Sequence, residues 1–95
     1  MSKIALVTGG TRGIGASISK KLTSENYKVI ANYASNEEAA NNFSKENNIE
    51  VYKWDVSSHD ECKKSISAIY DKFKNIDILV NNAGITRDAP LHKMD

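Results

Sequence analysis

The sequence is poor in several features, and each shortage excludes a class of protein. A single cysteine, Cys62, among 95 residues cannot close an internal disulfide, so a reducing compartment, the cytoplasm, is the expected location. No apolar run exceeds strand length, Ile4-Ala5-Leu6-Val7 being representative, whereas a membrane-crossing helix needs about 20 such residues; no membrane contact is expected. No long apolar segment follows Lys3, so the N-terminus does not read as a signal peptide. Neither sign of charge dominates: the net charge is +1, with Lys and Glu interspersed, which leaves no basic face for nucleic acid. Repeats, low-complexity tracts and linkers are missing as well. What is present is the composition of one small globular unit with a modest core.

Strand-length apolar runs alternate with stretches of helical period. Residues 4–7, 29–31, 51–54 and 78–80 read as strands. Three of these are continuously apolar, as parallel strands covered on both faces should be. The third is mixed, with Lys53 inside it, and is expected at a sheet edge. Between them, Ile14, Ile18 and Leu22 recur every four residues and predict a helix over 13–25. A second helix over 37–47 is expected to bury Ala39, Ala40 and Phe43. In a third, Cys62, Ile66, Ile69, Tyr70 and Phe73 form one stripe. Ser58 is its natural N-cap, with Asp60 and Glu61 in the first turn and Lys72 and Lys74 in the last, as the helix dipole favours. The β-α-β-α-β-α-β order, with right-handed crossovers, predicts an α/β fold: part of a Rossmann-type, doubly wound parallel sheet of about four strands in the order 3-2-1-4, with three helices.

Between the first strand and the first helix runs Thr8-Gly9-Gly10-Thr11-Arg12-Gly13-Ile14-Gly15. Glycines here allow a tight turn, let a pyrophosphate approach the amides at the helix N-terminus, and permit close packing of helix on strand. The G-x-G-x-x-G spacing fails, because Ile18 stands where the third glycine would be if Gly13 and Gly15 began it. The Walker pattern nearly fits from Gly10 to Gly15, but Ala16 replaces its lysine, which argues against an ATPase or GTPase. The pattern that does fit is T-G-x-x-x-G-x-G.

With Asp55-Val56 closing the third strand, Asn81-Asn82-Ala83-Gly84 closing the fourth and Ile85-Thr86-Arg87-Asp88 following, the whole chain resembles the short-chain dehydrogenase/reductase family. The resemblance implies a nicotinamide cofactor held by Gly9, Gly10, Thr11, Arg12, Gly13, Ile14 and Gly15 of the loop. Asp55 is implied to accept from the adenine amino group, with the Val56 amide alongside. Asn82, Ala83, Gly84 and Ile85 are implied to lie along the cofactor. A helix-entry role for Asp55 and a strand-tying role for Asn81 are the structural alternatives. After the second strand, where an acid would select NAD, the sequence reads Ala31-Asn32-Tyr33-Ala34-Ser35. Together with Arg12 this predicts NADP(H). Arg12 could instead be a solvated loop charge, and Ser35 either a hydroxyl contact or a turn serine.

The branch most resembled reduces 3-oxoacyl thioesters with NADPH, acetoacetyl-CoA to 3-hydroxybutyryl-CoA ahead of substrates on acyl carrier protein. Asp88 falls where that branch has a residue near the small-molecule substrate. The family's chemistry rests on an Asn-Ser-Tyr-Lys set, in which tyrosine protonates the carbonyl oxygen while NADPH delivers hydride. That set is expected downstream of residue 95, so these residues read as the N-terminal part of a dinucleotide-binding domain. No catalytic residue and no metal ligand is assigned among them. Tyr70 and Lys74 form a formal Y-x-x-x-K with Ser57 upstream, but they fall one crossover helix too early, and Tyr70 is expected in the core. The fourth strand would be an edge, from which a homo-oligomer is expected. A nucleotide-binding module without catalysis and a protein-interaction domain are the competing classes.

Overall fold

The structure, a computed structural model, describes residues 3–82. Four parallel strands, β1 (Ile4–Thr8), β2 (Lys28–Tyr33), β3 (Glu50–Lys53) and β4 (Ile78–Asn81), lie in the order β3-β2-β1-β4. Helices α1 (Gly13–Ser24), α2 (Glu37–Asn47) and α3 (His59–Phe73) make the crossovers. The expected order and class are therefore present, and β3 is an edge, as its mixed composition suggested. Every residue of β1 is buried, which follows from its place between β2 and β4 with helices over both faces. The register, Leu6 opposite Ile30 and Leu79, and Val7 opposite Ala31 and Val80, keeps like residues on like faces.

Alternation within the strands splits the core in two. Ala5, Val7, Val29 and Ala31 face α1 and α2, meeting Phe43 with Ala16, Ile18 and Leu22. Ile4, Leu6 and Ile30 face α3, meeting Ile69, Trp54, Cys62, Ile66 and Phe73. Fully burying such side chains contributes roughly 1.5–3 kcal/mol each. The caps follow their chemistry. Ser58 Oγ accepts the Glu61 N–H at 3.3 Å. Asn36, left-handed at φ 34°, accepts the Ala39 N–H through its side chain. Asn48 and Lys74 close α2 and α3 in the left-handed region.

Three expectations fail in detail. Ile14 is 75% exposed, because the contact line of α1 runs through Gly15 and Ser19, the helix's buried residues. Small side chains let the helix approach so closely that Ile18 and Leu22 pack at its flank. Ala39 is exposed rather than buried, one position off the Ala40–Phe43 face of α2. Tyr70 is 53% exposed, against its expected core role. The buried stripe of α3 is centred on Ile69, with Cys62, Ile66 and Phe73 beside it, and one residue further is a 100° turn away.

Candidate functional site

A doubly wound sheet opens a crevice beyond the carboxyl ends of its strands where the strand order reverses, here beside β1, which has β2 on one side and β4 on the other. A cleft of about 350 Å³ lies there, lined by Gly9, Thr11, Arg12, Gly13, Tyr33, Ala34, Ser35, Asn36, Ala39 and Asn82. Of the expected site residues, Gly9, Thr11, Arg12, Gly13, Ser35 and Asn82 are thus brought together. Tyr33, Ala34, Asn36 and Ala39 are additions that sequence reasoning missed. Ala39 carried a signal, being a small residue at the first turn of a helix that starts beside the loop.

The loop's shape follows from its glycines. Gly9 and Gly13 adopt φ of 62° and 58°, a region that costs other residues roughly 1–2 kcal/mol. Gly10 and Gly15 are buried below the cleft and act as spacers. A Cβ on Gly15 would overlap the Gly9 carbonyl oxygen. A Cβ on Gly10 would stand 2.8 Å from both Ser19 Oγ and the Val7 carbonyl oxygen. Both glycines of the turn are pinned by neighbours: Asn82 Nδ2 donates to Gly9 O at 3.3 Å, and Ser19 Oγ donates to Gly10 O at 3.0 Å. Thr8 Oγ1 donates to Asn81 Oδ1 at 3.2 Å, so Asn81 ties β4 to β1, the structural role foreseen for it.

The electrostatics of the cleft are simple. Among the described residues, Arg12 is the one charged residue in its lining. It is exposed, and it occupies the N-cap position of α1 without a side-chain cap. The first-turn amides of a helix have no intrahelical acceptors and carry the positive end of its dipole. Glu37 and Glu38, the nearest acids in sequence, open α2, and Glu37 pairs with Lys53 at 3.8 Å. The donor set therefore suits a polyanion.

Asp55 and Val56 follow β3 at the same edge of the sheet but do not line this cleft. Asp55 Oδ1 accepts from Ser57 Oγ at 2.7 Å and from the Ser57 N–H at 2.9 Å. These two bonds, the hydroxyl first, hold its carboxyl below the usual carboxylate range. The Asp55 N–H donates to Glu61 Oε1 at 2.9 Å, so in this arrangement the residue organises the entry to α3. Val56 and Cys62 belong to the α3-side core, Cys62 Sγ donating to Val56 O at 3.3 Å. Ile14 stands exposed in the first turn of α1. Ala83, Gly84, Ile85 and Asp88 lie outside the described residues.

The formal Y-x-x-x-K pair is far from the cleft. Helices return antiparallel to the strands, so the last turn of α3 reaches the amino-terminal edge of the sheet, opposite the glycine loop. Lys72 in that turn donates to Glu50, the first residue of β3, at 2.8 Å. Among the described residues, no group of three or more His, Cys, Asp or Glu is placed to hold a metal ion, and no helix is long and apolar enough to cross a membrane.

Comparison with known proteins agrees with this geometry. Acetoacetyl-CoA reductase from Rhizobium meliloti (strain 1021) is 57% identical over 94 residues, covering 99% of this chain and 39% of that protein. The 3-oxoacyl-(acyl-carrier-protein) reductase of Staphylococcus aureus (strain Mu50) is 42% identical over 99 residues, covering 99% and 40%. The chain thus spans about two fifths of the length of these relatives. A metagenomic short-chain oxidoreductase solved in complex with NADP superposes with a TM-score of 0.80 at 31% identity, over 98% of this chain and 44% of that one. Actinorhodin polyketide ketoreductase with NADPH gives 0.79 at 35% identity, over 87% and 33%. The short chain dehydrogenase family model matches residues 3–95, and the chain belongs to that family.

Proposed function

We propose that the chain is the NADP(H)-binding part of a reductase of 3-oxoacyl thioesters, with acetoacetyl-CoA, reduced to 3-hydroxybutyryl-CoA, as its substrate. The observation that carries the cofactor half is the cleft's lining, in which Arg12 is the charged residue among those described. A 2′-phosphate adds close to two negative charges to the adenosine ribose. A guanidinium meets it with paired donors, and no carboxylate among the described lining residues repels it. Gly9, Gly10, Thr11, Gly13, Ile14 and Gly15 form the loop and helix end that would receive the pyrophosphate, and Ser35 and Asn82 flank it. In this reading Ala83, Gly84 and Ile85 continue along the cofactor, Asp55 and Val56 stand on its adenine side, and Asp88 approaches the substrate. When bound, the nicotinamide supplies hydride, while the residues described here bind and orient it.

The substrate half rests on similarity to the acetoacetyl-CoA and 3-oxoacyl-(acyl-carrier-protein) reductases, the first being the more similar. With the Tyr70–Lys74 pair at the opposite edge of the sheet, the 95-residue chain alone binds the cofactor without turning it over. We place it in the cytoplasm and expect it to self-associate. Isothermal titration with NADPH and NADH tests the cofactor half: NADPH should bind at least tenfold more tightly, and equal affinities would end this reading. For the substrate half, these residues can be grafted into the Rhizobium meliloti reductase in place of its own. Retained reduction of acetoacetyl-CoA supports the proposal, and loss in a folded chimera that still binds NADPH opposes it.

A further inference from the structure

Asn32 interrupts an apolar, buried run, Val29, Ile30 and Ala31, in β2. Its own exposure is 1%, so its amide must be satisfied inside the protein. It is, at the ends of two neighbouring strands. Asn32 Oδ1 accepts the Gly9 N–H at 3.0 Å, just beyond β1. Asn32 Nδ2 donates to the Trp54 carbonyl oxygen at 3.0 Å, just beyond β3. The partners fix the amide's orientation, since turning it over would set donor against donor and acceptor against acceptor. Nδ2 also donates to the Tyr33 carbonyl oxygen at 3.4 Å, and the Asn32 main chain adds a further bond, its carbonyl oxygen accepting the Gly10 N–H at 3.0 Å.

A glycine loop holds phosphate by presenting free amides. Asn32 withdraws two of them. With the Gly9 and Gly10 N–H groups committed to Asn32, and their carbonyls to Asn82 and Ser19, both residues are held in one orientation. The amides left to meet an anion are those of Thr11 onward and the first turn of α1. We infer that Asn32 is a positioning residue for the cofactor: it orients the Gly9–Gly10 turn so that the following amides face the phosphates. Through Trp54 it also joins this turn to the segment carrying Asp55. The inference rests on the NADP(H) reading above.

Two readouts on Asn32→Leu, which keeps the size and removes the side-chain hydrogen bonds while leaving the main-chain bond to Gly10, test it. Backbone amide exchange followed by NMR should speed up at least tenfold at Gly9, while Leu6 in the middle of β1 keeps its protection. NADPH titrated into the same folded variant, well below its melting temperature, should bind at least tenfold more weakly. A purely structural role would lower the melting temperature and leave the affinity of the folded protein unchanged. Should Asn32→Leu fail to fold, Asn32→Ser is put through the same two measurements. Asn32→Asp keeps the acceptor and should retain Gly9 protection. If the unsubstituted chain binds NADPH and the folded variant binds within twofold of it, the inference is overturned alone. If the unsubstituted chain takes up no NADPH, the cofactor reading falls and this role falls with it.

Discussion

Replacing the buried Gly15 by alanine should be more damaging than replacing the exposed Gly13, although helix propensity points the other way. In an unobstructed helix the substitution would stabilise by up to about 1 kcal/mol. Here the new methyl would overlap the Gly9 carbonyl oxygen and come within 2.7 Å of Asn82 Nδ2. The obstructing atom is backbone, and its residue is held by Asn82 at the Gly9 carbonyl and by Asn32 at the Gly9 N–H, so α1 must back away from the strand ends. Overpacking of this kind costs roughly 1–3 kcal/mol, occasionally more, and a rigid obstacle favours the upper end. The net loss is about 2 kcal/mol. With a urea slope on the order of 1 kcal/mol/M for a domain of this size, the unfolding midpoint should fall by about 2 M. Gly13→Ala is the control: a Cβ there meets nothing within 4 Å, and only the φ of 58° opposes it, at roughly 1–2 kcal/mol. Urea unfolding followed by circular dichroism ranks the two variants. A Gly15→Ala protein as stable as the parent, or more stable than Gly13→Ala, would refute the close-packing argument.

Three other outcomes follow from named contacts. Ser57→Ala removes the hydroxyl donor and keeps the main-chain N–H bond, so the Asp55 carboxyl should titrate nearer the ordinary range. Because its folded value is lowered, Asp55 contributes stability above its unfolded pKa near 3.9 and loses it as pH falls through the folded value. NMR titration showing the same Asp55 pKa in parent and variant would contradict this. The 95-residue chain should not oxidise NADPH with acetoacetyl-CoA, and Tyr70→Phe should change nothing; turnover abolished by that substitution would give Tyr70 the catalytic part denied it here. Leu79 is 49% exposed on β4, which among the described residues pairs with β1 alone. Sedimentation at micromolar concentration should therefore show self-association that Leu79→Lys weakens, and a monomer indifferent to the substitution would count against it.

The fold was legible because period and order both carry topology. Continuous apolar runs in 4–7 and 78–80 announced parallel strands, and the glycine loop fixed where the first helix begins. Helix faces were read less well. Ile14 and Tyr70 fit their stripes by spacing, but spacing alone does not say which edge of a stripe meets the sheet. In α1 that is decided by Gly15 and Ser19, whose small size was the clue. The cleft was legible where it is built from consecutive residues, Gly9, Thr11, Arg12 and Gly13. Its other wall, Tyr33, Ala34, Asn36 and Ala39, comes from the end of β2, the connection after it and the first turn of α2, whose side chains carry no phosphate-binding pattern. Asn32 was legible in principle, as a polar residue inside a buried run, which must find partners somewhere. Which partners it finds depends on strand order and register, and these emerge only once the sheet is assembled.

The central claim, that Arg12 makes this cleft a site for a 2′-phosphorylated nicotinamide dinucleotide, is tested most directly by a two-by-two titration. NADPH and NADH are each measured against the parent chain and Arg12→Ala at fixed ionic strength. A charge-assisted arginine–phosphate contact contributes about 1.5–3 kcal/mol, so the parent should prefer NADPH by at least tenfold. The substitution should remove most of that preference while leaving NADH affinity nearly unchanged. A parent that binds the two cofactors equally, or a preference that survives Arg12→Ala intact, would contradict the account.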